Sequence, residues 1–363
     1  MKISTTLFHS ATFALLGMGA FGMACSDGET TTSTGSTMSG ASSSTGAGGD
    51  GGTGGDGGAG GGGGMAAAPS YIAQFDATKG ELSEGLLVDG TTAYVGFAAA
   101  GKVVTVSLSD GKVADFGAIP QFPAMGSFVL GLARDAAGAL YAGVTGSNPA
   151  AFKHGIYKFP AAGGNATLFA EDAGLAFPNG LVFNSKGELF VTDSVAGAIF
   201  KISADGSSVT QWVTDPLLTG DAKSMCASGL GFPLGANGLV LSGEAFFVAN
   251  LDKGSVVKVV INADGSAGAV SEHASADCAA LGGADGMALD EDGSLIVALN
   301  GQNAIARVGT DGKVTQLFKG GDLGAPASVA IGMVGGARSL FITNAAFGGP
   351  PQVPGLLTFP LGK

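Results

Sequence analysis

Asp285-Gly286-Met287-Ala288-Leu289-Asp290-Glu291-Asp292-Gly293-Ser294-Leu295-Ile296-Val297-Ala298 carries the plainest copy of a pattern that runs through the chain. One polar residue and a glycine lead into an apolar triplet. A D-x-G-type turn follows, and then an apolar, β-branched run. Such a pattern is a strand, a tight turn and a second strand. The same order recurs along the chain. It reads Glu84-Gly85-Leu86-Leu87-Val88 with Ala93-Tyr94-Val95-Gly96, and Leu130-Gly131-Leu132-Ala133 with Ala139-Leu140-Tyr141-Ala142. It continues as Asn179-Gly180-Leu181-Val182-Phe183 with Glu188-Leu189-Phe190-Val191, and Asn237-Gly238-Leu239-Val240-Leu241 with Ala245-Phe246-Phe247-Val248. A degenerate last copy is Ala327-Ser328-Val329-Ala330 with Ser339-Leu340-Phe341-Ile342.

The six leading positions are separated by 46, 49, 58, 48 and 42 residues. Each copy runs into a third strand, such as Ile199-Phe200-Lys201-Ile202 or Ile305-Ala306-Arg307-Val308. A fourth leads outward, as in Ser208-Val209-Thr210-Gln211-Trp212. Four short strands per unit of roughly 48 residues describe a propeller blade. No stretch carries a convincing 3.6-residue apolar period, so helices are expected to be few. The expected fold is all-β: a six-bladed β-propeller over residues 70–363, with four antiparallel strands per blade. Tyr71 to Phe75 is a lone strand before the first copy, and Leu356 to Leu361 ends the chain without a fourth strand. The N-terminal strand is therefore expected to close the last blade and remove two exposed edges. A seven-bladed ring or an open sandwich is the alternative.

In a propeller the innermost strand of each blade begins near the axis, so the leading residues meet at the centre. Here they are Glu84, Leu130, Asn179, Asn237, Asp285 and Ala327. Two carboxylates brought together in a narrow channel repel and desolvate each other unless a counter-charge is present. A divalent cation supplies it, and carboxamide oxygens complete part of the shell. All-oxygen ligation favours a hard ion, calcium first and magnesium or manganese next, and argues against zinc. The competing reading makes Asn-Gly and Asp-Gly ordinary turn dipeptides with no ligand. Against it, each precedes an apolar strand, and Glu84-Gly85 is not a favoured turn pair.

Ala284-Asp285-Gly286-Met287-Ala288-Leu289-Asp290, with Gly293 to Ala298, Gly301 and Arg307-Val308, resembles the regucalcin (senescence marker protein)–gluconolactonase–luciferin-regenerating-enzyme family. Pro178-Asn179-Gly180 with Val191-Thr192-Asp193-Ser194, and Ser83-Glu84-Gly85, fit the same pattern. The resemblance implies a six-bladed propeller with one axial metal and hydrolysis of lactones and some esters. It implies that Glu84, Asn237 and Asp285 are metal ligands. Asn179 matches a position that contacts substrate or water in the gluconolactonase branch and ligates calcium in the related paraoxonase branch. Two departures stand out. Phe177 occupies the place of an Arg that helps bind sugar lactones, and Gly286 follows Asp285 where the paraoxonase branch has Asn. That branch also uses histidines above the metal. His154 and His273 lie in the later parts of blades 2 and 4 and are read as surface or turn residues, and His9 falls in the export signal.

Residues 1–24 read as that signal. Lys2 gives a thin positive start and Ala11 to Ala20 an apolar stretch too short to span a membrane. Gly22-Met23-Ala24-Cys25 resembles a bacterial lipobox, which would make Cys25 the lipidated first residue of an envelope lipoprotein. Simple secretion to the periplasm or beyond is the alternative. Residues 25–69 hold the lipidation site and a linker of Gly, Ser, Thr, Ala and Asp, too poor in apolar surface to fold. Export permits a disulfide between Cys226 and Cys278, with two buried thiols as the other possibility. Seventeen basic against twenty-nine acidic residues give a net charge of −12 and no basic stripe, which excludes nucleic acid as the expected partner.

The expected function is a metal-dependent hydrolase of a lactone or small ester, acting as a monomer. Asp285 steers or accepts the proton of water and Asn179 orients the substrate. Phe177, Phe122 and Phe232 would make the entrance apolar, favouring a hydrophobic lactone or aryl ester. The alternative is a non-catalytic, envelope-tethered binding propeller whose metal is structural or absent. A strictosidine-synthase-like condensing enzyme is a third reading, weakened by the oxygen cluster.

Overall fold

In the computed structural model the described residues are 68–361 without 124, 147 and 149. The expectations for the export signal, Cys25 and nearly all of the linker lie outside them. The described chain forms six sheets in a ring, each antiparallel and four-stranded at its core. The innermost strands are Ser83–Asp89, Ser127–Arg134, Pro178–Phe183, Ala236–Ser242, Ala284–Leu289 and Pro326–Val334. Among the described residues helix is confined to one turn, Cys278–Leu281, and two short 3-10 segments. Asp277 caps the helical turn, its carboxylate accepting from Ala280 N at 3.0 Å.

Closure follows the expected route. Strand Ser70–Gln74 pairs antiparallel with Gly355–Pro360 and becomes the outer strand of blade 6. Ser83 fastens the seam: its hydroxyl donates to Asn344 O at 2.8 Å and lies 2.9 Å from Gly355 O. Blade 1 has one addition the sequence did not announce. Gly164–Asn165 pairs in parallel with Val113–Ala118 as a fifth strand. A Cβ on Gly117 would lie 2.2 Å from Gly164 O, so glycine permits that approach.

The core sits between blades rather than within them. One buried cluster joins each pair of neighbours, six in all, including blades 6 and 1 through Phe341, Leu356, Val95 and Phe97. Residues alternating along each strand therefore face one neighbouring blade or the other, which is why these strands read as nearly continuous apolar runs.

Candidate active site

In all six inner strands the ladder to the second strand shifts at one place. The breaks fall at Ser83/Leu86, Val129/Leu132, Pro178/Leu181, Ala236/Leu239, Ala284/Met287 and Pro326/Val329. Each break encloses the leading residue and its follower, a bulge that turns a side chain out of the ladder. Five of the six leading residues, all but Glu84, also present their carbonyl oxygen to the glycine of the preceding blade. A Cβ at Gly131 would lie 2.0 Å from Asn179 O, at Gly180 2.6 Å from Asn237 O, and at Gly238 2.3 Å from Asp285 O. The glycines are there because backbones crowd at the axis. The turn reading of Asn-Gly and Asp-Gly is thereby displaced: all these pairs lie in strands.

Where the sixth blade has Ser328 in place of glycine, Thr343 takes up the contact. Its hydroxyl accepts from Ser328 N at 2.9 Å and donates to Glu84 O at 2.7 Å. Thr192 does the same in blade 3, between Gly180 N and Asn237 O.

The four polar leading residues are buried: Glu84 is 4% exposed, Asn179 7%, Asn237 3% and Asp285 6%. Burial raises the pKa of Glu84 well above the usual carboxylate range, and the charge of Asp285 adds to it. Burial likewise raises Asp285 to about 7, opposed by hydrogen bonds from the Asn300 side chain, the Gly286 backbone and the Asn237 side chain. These interactions join Glu84, Asn237 and Asp285 in one environment. Asn179 enters it by position, at the same bulge one blade before Asn237. The remaining two places, Leu130 and Ala327, are apolar and buried.

Glu84 Oε2 and Asn237 Oδ1 are buried without a hydrogen-bond partner. A cation there would give these two oxygens a partner and offset the cost of ionising the two carboxylates. That donor set, two carboxylates with two carboxamides, fits a hard divalent ion. Among the described residues no three His, Cys, Asp or Glu side chains cluster as a cation site.

The connections that precede the inner strands, and the corners between second and third strands, all rise on the axial-residue face. Phe177, two residues before Asn179, meets Phe232 there with ring centroids 6.3 Å apart. Met125 and Met225 are 83% and 92% exposed on the same loops. Phe122 is used differently from expectation: it packs edge-on to Phe152 at 5.6 Å, inside the blade 1–2 cluster. Cys226 and Cys278 form a disulfide that ties the long loop after blade 3 to the connection after blade 4, with Cα atoms 5.0 Å apart. Asp252 holds that loop as well, accepting from the backbone N–H groups of Asp221, Ser228 and Leu234. His273 is on an outer strand, its Nε2 3.1 Å from Gly309 O and its ring against Phe247. His154 is half-buried in the corner loop of blade 2.

The sequence reading missed Asn300, whose amide reaches Asp285, because it lies outside the repeat's leading positions. It also missed the carbonyl-binding threonines, since a buried Thr in a β-rich sequence looks like any strand residue.

No curated protein sequence matches the chain. Solved structures share the fold. A gluconolactonase from Xanthomonas campestris superposes with a TM-score of 0.55 at 19% identity, covering 82% of this chain and 96% of that one. A calcium-binding protein, regucalcin, from Agrobacterium tumefaciens gives 0.56 at 17% identity, over 80% and 93%. Virginiamycin B lyase from Staphylococcus aureus gives 0.50 at 17%, over 73% and 78%. At such identities these likenesses speak for the propeller alone, and their differing names show that the propeller does not fix the chemistry. Residues 234–346, which carry Asn237 and Asp285, match the family model described as the SMP-30/Gluconolactonase/LRE-like region. The chain is thus a six-bladed propeller carrying an SMP-30/gluconolactonase/LRE-like region.

Proposed function

We propose that the protein is a metal-dependent hydrolase of a lactone or small ester, with calcium, or failing that magnesium or manganese, held on the propeller axis. The observation that carries the reading is the pair of partnerless buried oxygens, Glu84 Oε2 and Asn237 Oδ1, beside Asp285. Glu84, Asn237 and Asp285 would hold the ion, and Asn179 would complete the shell or orient the substrate. A bound divalent ion would supply Lewis acidity towards a substrate carbonyl. Asp285, a buried carboxylate of the same set, would accept the proton of the attacking water. The Phe177–Phe232 contact and the exposed Met125 and Met225 give the mouth apolar surface, which supports a hydrophobic lactone or aryl ester over a sugar acid. As part of the same proposal the propeller works as a monomer, exported and tethered to a membrane through Cys25.

The test is hydrolysis of a lactone and aryl-ester panel by the purified chain, before and after chelation. Turnover lost on chelation, restored by calcium and absent from Asp285→Ala supports the proposal. Turnover indifferent to both treatments rules it out. A chain that binds calcium but turns over nothing is the non-catalytic binding propeller.

A further inference from the structure

Asn300 stands at the corner between the second and third strands of blade 5, directly after strand Leu295–Leu299. Its Nδ2 donates to Asp285 Oδ2 at 3.1 Å. The corners of the other blades make this contact informative. In register opposite the residue before the leading position stand Asp193 in blade 3, Asn250 in blade 4 and Asn344 in blade 6. Each of these turns to its loops: Asp193 accepts from Phe177 N, Val195 N and Ala196 N, Asn250 donates to Leu217 O and Thr219 O, and Asn344 donates to Asp322 O and Val353 O. In blade 5 that place belongs to Leu299, buried in the blade 4–5 cluster. The polar residue has moved one position along. Asn300 opens the 3-10 turn that follows the strand, and from there its amide reaches the axial carboxylate instead of the loops. The residues equivalent to Asn300 elsewhere are Ala98, Thr145, Ser194, Leu251 and Ala345. Two of these are polar, Thr145 and Ser194, and each donates to a backbone carbonyl, Ala176 O and Ala236 O, rather than to an axial side chain.

We propose that Asn300 is a positioning residue for Asp285: its amide holds one carboxylate oxygen and so fixes the rotation at which that carboxylate faces the shared centre. The inference rests on the cation reading above. Asymmetry within the site supports it, because Glu84, the other carboxylate, has an oxygen with no donor at all. The corner does not depend on the amide for its shape. Asn300 N donates to Gly283 O at 2.9 Å, and Gln302 Nε2 donates to Gly282 O at 2.8 Å. Outer partners of this kind change metal affinity or activity by about 10- to 100-fold when removed.

The experiment compares the wild-type full chain with Asn300→Leu, which keeps the volume and removes the donor. Calcium affinity is measured by titration of the stripped proteins, and melting is followed in chelator. The expected result is calcium binding weakened about 10- to 100-fold with the metal-free melting temperature unchanged. On an aryl ester the variant should lose kcat more than it gains KM. Unaltered calcium affinity in Asn300→Leu overturns the proposal. So does a metal-free melting point that falls with it, which would make Asn300 a strut of the corner, and so does a defect confined to KM. A wild type that binds no divalent ion overturns the cation reading itself, and is told apart because it needs no variant.

Discussion

Glu84 in the first blade and Asp285 in the fifth share one buried environment, and the charge of Asp285 raises the cost of ionising Glu84. Neither has a cationic side chain among its causes of shift; burial dominates both. The metal-free site is therefore held in a protonation state that a bound cation would reverse.

That relationship sets a pH dependence with a definite sign. Asp285 rises from 3.8 unfolded to about 7 folded. Between these values the folded chain keeps a proton that the unfolded chain releases, so metal-free stability falls as pH rises and the loss is complete above about 7. Glu84 acts in the same direction. Asp110 and Asp205, lowered to about 2 by Lys112 and Ser203 respectively, work oppositely but only in more acid solution. Melting in chelator should be lower at pH 8 than at pH 5. Asp285→Asn should flatten the difference and raise the pH 8 melting temperature by roughly several degrees. A wild-type curve indifferent to Asp285→Asn would sink this account of the site's charge.

Crowding at the axis predicts a steep cost at Gly131. A methyl there meets Asn179 O at 2.0 Å, a backbone atom that cannot step aside. Gly131→Ala should destabilise by on the order of 3 kcal/mol or prevent folding. Gly348→Ala, where nothing lies within 4 Å, should stay within about 0.5 kcal/mol by chemical denaturation.

Thr343→Val tests the seam between blades 6 and 1. The change keeps the shape, deletes the donor to Glu84 O and leaves Ser328 N without its acceptor. Denaturant melts should show a loss of about 1–3 kcal/mol. A neutral result would mean that Ser83 and the Phe341–Leu356–Val95 cluster hold the seam without Thr343.

Much of the ring could be read from the chain, and the reason is repetition. Six copies of one pattern imply six equivalent strands, and equivalence alone brings Glu84, Asn179, Asn237 and Asp285 to one axis. The glycine after each leading residue was legible as a marker but not as a cause, since closeness to Asn179 O or Asp285 O exists only after closure. Asn300 was not legible. Its importance comes from a one-residue offset between Leu299 and the corner residues Asp193, Asn250 and Asn344, and that offset needs strand register to be seen. Phe122 misled for a related reason: a loop aromatic can face the mouth or the neighbouring blade, and Phe152 decides the matter.

Cys226 and Cys278 lie 52 residues apart, and closing such a loop stabilises by roughly 4 kcal/mol in the chain-entropy model. Asp252 and Asn250 already restrain one arm, so the double Cys→Ser variant should lose about 2–4 kcal/mol while its far-ultraviolet circular dichroism stays that of the parent. Collapse of the β signal on reduction would show that the loop is part of the ring's core.

Whether one cation sits on the axis is best decided by anomalous diffraction from a manganese-soaked crystal of the chain. A single strong peak within about 2.0–2.6 Å of oxygens from Glu84, Asn237 and Asp285 is expected. No peak there, or a peak only at surface carboxylates, would contradict it.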